Sequence, residues 1–284
     1  MSAKPKTYER FPLSRRIEHW VLVLSFITLA ATGLPQKYSS SPVSVFIVRA
    51  LGGVENLYDI HHFMSVIVML AVIYHLLTIA YHVFVLRSKW SMMISFQDVK
   101  DALQVLLYNL RIKKAPPKMG RYTFDEKFEY WAFVWGYSIM GITGFIMWNP
   151  ITATRYLPGE FVPAAKAAHG GEAVLAVLAI LIWHMYHVGI KRSTKLMVSG
   201  MQTEEEMLDE HPLELEAIKA GLADRRPDPA TLRKRQMVFF PIAALMTILM
   251  LTGVYTYITT EETALTTIPP ISATAETPLP TPQP

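Results

Sequence analysis

The chain contains no cysteine, and only 18% of its 284 residues are charged. The first absence excludes disulfides, protein-held iron–sulfur clusters and C-x-x-C-H attachment of a c-type haem. A redox centre, if present, must be held by histidine or methionine. No glycine-rich phosphate loop, G-x-S-x-G elbow or H-E-x-x-H helix appears either, so the common phosphate, acyl-transfer and zinc-protease motifs are excluded.

The shortage of charge is not uniform. Hydrophobic residues make up 51% of the chain, and the stretches 19–36, 60–86, 130–154, 173–190 and 236–260 carry no formal charge. Each is about long enough to cross a bilayer. They predict an all-α integral membrane bundle with a four-helix core and a fifth transmembrane helix. The first span opens on a histidine and is not followed by an A-x-A cleavage site, so it reads as a retained helix rather than a signal peptide.

Basic residues set the orientation. Twenty-three of the 27 Lys and Arg lie before the first span or in the loops 87–129 and 191–235. That asymmetry places the N-terminus and both long loops in the cytoplasm and the C-terminus outside, in a multi-pass cytoplasmic-membrane protein. The isoelectric point near 9.1 then reports topology and contact with anionic membrane lipid, not nucleic acid.

Between the spans, "SPVSVFIVRALGG" predicts a short interfacial helix starting near Pro42 and stopped by Gly52 and Gly53. A surface helix is expected from Asp98 to before Pro116, and a polar helical segment over "TEEEMLDEHPLELEAIKAGL". The organisation is a four-helix domain over 1–213, a linker with the fifth helix over 214–258, and a Thr/Pro-rich external tail over 259–284 that has no core of its own. This tail is expected to strap an external subunit to the membrane domain. No internal repeat stands out beyond the two histidine-bearing helices.

What the chain does have is histidine in unusual places. His19, His61, His62, His75, His82, His169, His184 and His187 lie in or beside the first, second and fourth spans, while His211 falls in a polar loop where solvent is expected. A lone membrane imidazole can simply hydrogen-bond a neighbouring helix. Eight together point instead to a bundle that holds haem between facing helices. His61 and His75 are 14 residues apart, which returns to within about 40° of one helix face. His169 and His184 are 15 apart, off by about 60° with a rise of about 22 Å. His61, His62 and His169 therefore belong to the outer half, and His19, His75, His184 and His187 to the cytoplasmic half. Two haems stacked across the membrane would carry electrons. Trp20, Trp131, Trp135, Trp148 and Trp183 read as interface anchors.

Four stretches carry a resemblance: "RIEHW…TG", "IHHF", "RYTFDEKFEYW…GITGFIMWNP" and "HMYHVGIKRSTKLMVSGMQTEEEMLDEHP". The chain is similar, over about 10–213, to the di-haem cytochrome b subunits of membrane-bound formate dehydrogenases and nickel–iron hydrogenases. The resemblance implies two haem b groups, one held by His19 and His184 on the cytoplasmic side and the other by His61 and His169 on the outer side. It leaves His62, His75 and His187 as alternative ligands, with His75 the rival to His19 and a third haem the consequence of these surplus imidazoles. It also implies a quinone or menaquinone site beside the cytoplasmic-side haem, where Tyr122 and Lys127 match and Thr123 stands in place of an expected Asn. The fourth-helix histidine pair is one residue wider than in the family, and the fifth helix and tail are additions.

The expected function is a quinone-reactive electron-transfer subunit, working with a multihaem cytochrome c or an iron–sulfur or molybdenum protein outside. Arg15, Arg16 and Arg121 are candidates to pair with haem propionates. The rivals are a haem-free anchor and a proton-conducting or transport subunit. The transport reading requires acidic groups within the spans, and Glu172 lies only at the edge of one charge-free stretch.

Overall fold

The computed structural model describes residues 5–191, 195–223 and 226–260. A short strand β1 (Thr7–Glu9) leads into helix α1 (Leu13–Lys37) and the small α2 (Pro42–Ala50). Helix α3 (Val54–Ala80) continues through a π-turn at Tyr81–Val85, and α4 (Phe96–Asn109) precedes α5 (Phe124–Trp148). A single turn α6 (Pro150–Thr154) joins α7 (Phe161–Ala179), which runs on through π-segments Ile180–His184 and Tyr186–Lys191. Then follow α8 (Leu196–Ser199), β2 (Met201–Thr203), α9 (Glu204–Glu210), α10 (Pro212–Lys219) and α11 (Pro229–Thr259). Among the described residues five helices are long and apolar enough to cross a membrane, one for each expected span.

Local chemistry explains the boundaries. Helix α2 has Pro42 in its first turn and ends before Gly52 and Gly53, both at positive φ, the conformation that stops a helix at least cost. Helix α4 begins at Phe96, two residues earlier than expected. Ser95 caps it and Asp98 is the third-position partner in a capping box. The polar segment after the fourth span is two helices, because Pro212 starts a new one after His211.

In the spans the usual burial pattern is inverted. The buried residues of α1 include Glu18, Ser25 and Thr32, spaced by seven, and those of α5 include Gly136 and Thr143. Leu24, Ile142, Ile182 and Ile248 point outward and are exposed. Lipid tails supply their contact, while small and polar side chains let the helices approach and hydrogen-bond. The molecule is an integral membrane helical bundle.

Helix α1 packs on α3, α5 packs on α7, and α1 with α7 joins the two pairs. Helices α3 and α5 touch through side chains, His62 on Trp148 and His75 with Tyr130, and helix α11 crosses the side between them. At one end Arg235 Nη1 donates to the Val85 carbonyl (3.0 Å) and Gln236 Nε2 to the Tyr81 hydroxyl (2.9 Å). At the other, Asn149 Nδ2 donates to the Tyr257 carbonyl (3.2 Å), and the Tyr257 ring meets Trp148.

A polar cap closes the end of the bundle that carries the N-terminus. Strands β1 and β2 pair antiparallel, with Tyr8 opposite Gln202. Beside them His211, expected in solvent, is fully buried. Its Nδ1 donates to the Gly120 carbonyl (2.8 Å), and Arg10 Nη2 lies 3.2 Å from its Nε2 and donates to the Arg121 carbonyl (2.6 Å). Arg121 in turn bonds Glu214 (2.9 Å). Of the expected tail over 259–284, Thr259 still belongs to α11, and residues 261–284 lie outside the described residues.

Candidate functional site

Two pairs of histidines face each other across the bundle. The rings of His61 on α3 and His169 on α7 have centroids 6.4 Å apart, and those of His19 on α1 and His184 on α7 are 6.5 Å apart. Two imidazoles bonded to opposite sides of one metal through bonds of about 2 Å stand roughly 6.3 Å apart, centre to centre. Both pairs meet that spacing. Among the described residues no three His, Asp or Glu side chains converge as a chelating set, so each pair suits a metal whose other positions are filled by a macrocycle.

Neighbouring side chains settle which nitrogen is free in the His61–His169 pair. Thr32 Oγ1 donates its one proton to the Thr28 carbonyl (2.7 Å), so toward His61 Nδ1 (2.9 Å) it can only accept. Thr143 repeats this, donating to the Ile139 carbonyl (2.6 Å) and accepting from His169 Nδ1 (2.9 Å). Both rings thus carry the proton on Nδ1 and leave Nε2 as a bare donor for a metal. The glycine after Thr32 gives its ring room: a Cβ at Gly33 would stand 3.1 Å from His61 Cε1, whereas one at Gly144 would be in ordinary contact with His169 Cε1 at 3.5 Å and would press on the Tyr257 hydroxyl at 3.3 Å.

In the His19–His184 pair, His184 Nδ1 donates to Glu129 Oε2 (3.2 Å). His19 Nδ1 is buried with no partner. An orphaned ring nitrogen costs about 1–3 kcal/mol, which a ligand in the site would relieve. The rival, His75, is already spent. Its Nδ1 meets Glu18, and its Nε2 lies 3.1 Å from the Tyr130 hydroxyl. Those two atoms are too close to receive a metal between them through two bonds of about 2 Å, which counts against a third haem there.

The remaining histidines do other work. His62 stacks on Trp148 at 3.8 Å, and His187 Nδ1 donates to the Trp183 carbonyl (3.0 Å) while its ring packs on Trp183. Trp148 and Trp183 thus serve as packing partners of imidazoles. Of the three quinone-loop residues, Tyr122 lines the central cavity. Thr123 caps α5 through a reciprocal bond with Glu126, and Lys127 is paired with Asp98 at 2.7 Å. The guanidinium of Arg15 holds Glu18 and Thr78, that of Arg16 holds the Val198 carbonyl, and that of Arg121 holds Glu214.

Glu172 is not at a helix end. Helix α7 starts at Phe161, so Glu172 sits three turns inside it, where a Cβ at Gly136 would meet Glu172 Oε1 at 2.8 Å. Counting charge-free residues misplaced it, because Lys166 can extend along the helix toward water. Glu18 and Glu129 also lie within spans, and each is bonded to an imidazole. Glu18 and Glu129 thus serve histidines, so acidic groups within the spans do not by themselves mark a transport protein.

All four facing histidines line one continuous cavity of about 4610 Å³, with Lys37 and Lys166 toward one end and Arg10 and Arg121 toward the other. Single-ligand pockets measure roughly 300–1,000 Å³, so this space suits more than one large apolar group. The threonines, glycines and carboxylates around the rings escaped the reading of the sequence. The signal that exposes them is Glu and Trp followed by Thr-Gly at one fixed spacing in both α1 and α5.

Comparison with known proteins gives a consistent result. The family model for prokaryotic cytochrome b561 matches residues 10–203. The chain is 23% identical over 214 residues to the nitrate-inducible formate dehydrogenase cytochrome b556(Fdn) subunit of Escherichia coli, covering 74% of this chain and 91% of that protein. It is 23% identical over 210 residues to the formate dehydrogenase cytochrome b556(fdo) subunit of the same species, covering 72% and 90%. To the formate dehydrogenase cytochrome b556 subunit of Haemophilus influenzae it is 25% identical over 200 residues, covering 69% and 77%.

Proposed function

The chain belongs to the prokaryotic cytochrome b561 family, and from that premise we propose that it is the membrane subunit of a respiratory complex of the formate dehydrogenase type, passing electrons between quinone and an external redox subunit through two b haems. The observation that carries this reading is the pair of imidazole couples at 6.4 and 6.5 Å, one toward each end of a single cavity.

His61 with His169 would hold the outer haem, and His19 with His184 the inner one. Haem iron supplies one-electron chemistry when bound. The chain's own residues do the rest. Thr32, Thr143 and Glu129 fix ring tautomer and orientation, and hydrogen bonds of this kind raise the basicity of a ligating imidazole. The apolar spans exclude water, and α11 covers the side between α3 and α5. Quinone would react near the inner pair, beside Tyr122. The partner, by likeness to the relatives' complexes, would be a formate-oxidising assembly outside.

Pyridine haemochrome assay of the purified protein should return two b haems per chain. His169→Ala should lose one and keep the other, and His19→Ala should lose the complementary one. Full occupancy in His169→Ala would overturn the assignment. Loss of the inner haem in His75→Ala, with His19→Ala unaffected, would hand that role to His75.

A further inference from the structure

The four-helix core is built twice. Glu18, Trp20, Thr32 and Gly33 in α1 recur as Glu129, Trp131, Thr143 and Gly144 in α5, each 111 positions on. The bonds recur with the residues. Thr32 holds His61 and Glu18 holds His75 in the first helix pair, while Thr143 holds His169 and Glu129 holds His184 in the second. The histidine spacing is 14 in α3 and 15 in α7. The π-segment Ile180–His184 absorbs the additional residue, since a π-turn accommodates one residue more than an α-turn. With so few identities the repeat is hidden in the linear sequence and emerges from the contacts.

The repeat makes a specific demand on the inner half. His61 and His169 are each other's counterparts, so the outer couple maps onto itself. The inner couple, His19 with His184, maps onto Tyr130 with His75. That second place exists: the two rings lie 5.9 Å apart and share a hydrogen bond of 3.1 Å. The fold therefore has two equivalent inner positions, of which one presents two facing imidazoles and the other an imidazole and a phenol.

The second position has a defined hydrogen-bonding character. His75 Nδ1 is turned to the buried carboxylate of Glu18, which Arg15 also holds at 3.0 Å. A carboxylate only accepts, so Nδ1 carries the proton and Nε2 is an acceptor. Tyr130 brings a donor to the same spot. One acceptor and one donor side by side complement a hydroxyl group, which can donate to the imidazole and accept from the phenol. His75, Tyr130, Glu18, Arg15 and Thr78 all line the central cavity. They stand where α3 and α5 meet through the His75–Tyr130 hydrogen bond, facing the cavity rather than the lipid side that α11 covers.

We propose that this place binds the head group of quinol, with His75 and Tyr130 as its hydrogen-bonding pair. The inference rests on the proposed quinone-linked function and moves the contact from the loop residues Thr123 and Lys127, which are committed to a helix cap and an ion pair, into the membrane. Glu18 and Arg15 are positioning residues that hold His75 in the required tautomer.

The test uses the purified haem-loaded complex and 2,3-dimethyl-1,4-naphthoquinol as the reductant, following the b-haem bands. Tyr130→Phe keeps the ring and removes one bond, and should raise KM about tenfold, the equivalent of one lost hydrogen bond. His75→Gln should do the same, and both variants should retain two haems and the dithionite-reduced spectrum. An unchanged KM in Tyr130→Phe, with wild type active, would make the cluster a structural brace and overturn the proposal while leaving quinone reactivity intact. Failure of the wild type to react with the quinol would overturn both.

Discussion

A histidine in a membrane span announces itself, whereas the residues that make it useful do not. The eight imidazoles near or within the spans were legible in the sequence because hydrocarbon is so costly a place for them. Thr32, Thr143, Gly33 and Gly144 were not, since small and hydroxylated residues are ordinary in packed membrane helices. Their roles follow from contacts with His61 and His169. Thr143→Val should weaken retention of the outer haem about 10–100-fold, the usual effect of removing a partner behind a metal ligand, while Thr143→Ser should restore it. Haem bands recorded through a detergent dilution series give the comparison. Gly33→Ala should act on the same haem by a different route, because its Cβ would press on His61 at 3.1 Å. His211 went wrong for a related reason. Its charged neighbours suggested water, but those same groups fold over it, and burial of a polar ring with every partner satisfied cannot be read from composition.

At the level of elements the number and order of the spans were predictable, because charge-free length is imposed by the bilayer, but the helices begin six to twelve residues before the charge-free stretches. The start of helix α4 lay within two residues of its expected place, set by one capping residue, Ser95. The same helix is fixed to α5 by Asp98 and Lys127. Burial raises the Asp98 pKa, but hydrogen bonds from Lys127 and Ser95 and the nearby ammonium outweigh it and hold the carboxyl below its ordinary value. A depressed carboxyl contributes stability that is full above its unfolded value, about 4, and is lost as the pH falls through the folded one. Wild-type protein should therefore resist proteolysis in the segment 87–123 at neutral pH and become sensitive only below about pH 4, read with an acid-active protease. Asp98→Asn should be cut there at pH 7. Equal resistance of the two proteins at pH 7 would mean that this ion pair does not hold α4. The repeat of α1 and α3 in α5 and α7 escaped detection because one residue is inserted and His19 is exchanged for Tyr130. The π-segment conceals the first difference, and a change of side-chain chemistry conceals the second.

For the whole molecule, the distribution of basic residues predicts which way the bundle sits, and the absence of native cysteine makes the test clean. Lys113→Cys should react with a membrane-impermeant maleimide only after the cells are opened, and Gly159→Cys should react in intact cells. The opposite pattern would turn the quinol site to the outer face. The pairing of β1 with β2 has a consequence of another kind. Thr7 is opposite Thr203, so the first strand made waits for almost the last residue of the core. At synthesis rates of about 5–20 residues per second that interval is roughly 10–40 s. During it α1 can enter the membrane and meet α3, while Arg10 still lacks His211. Within the four-helix core the end nearest His19 is thus completed last, and the newborn chain has a timed opening there before the cap closes.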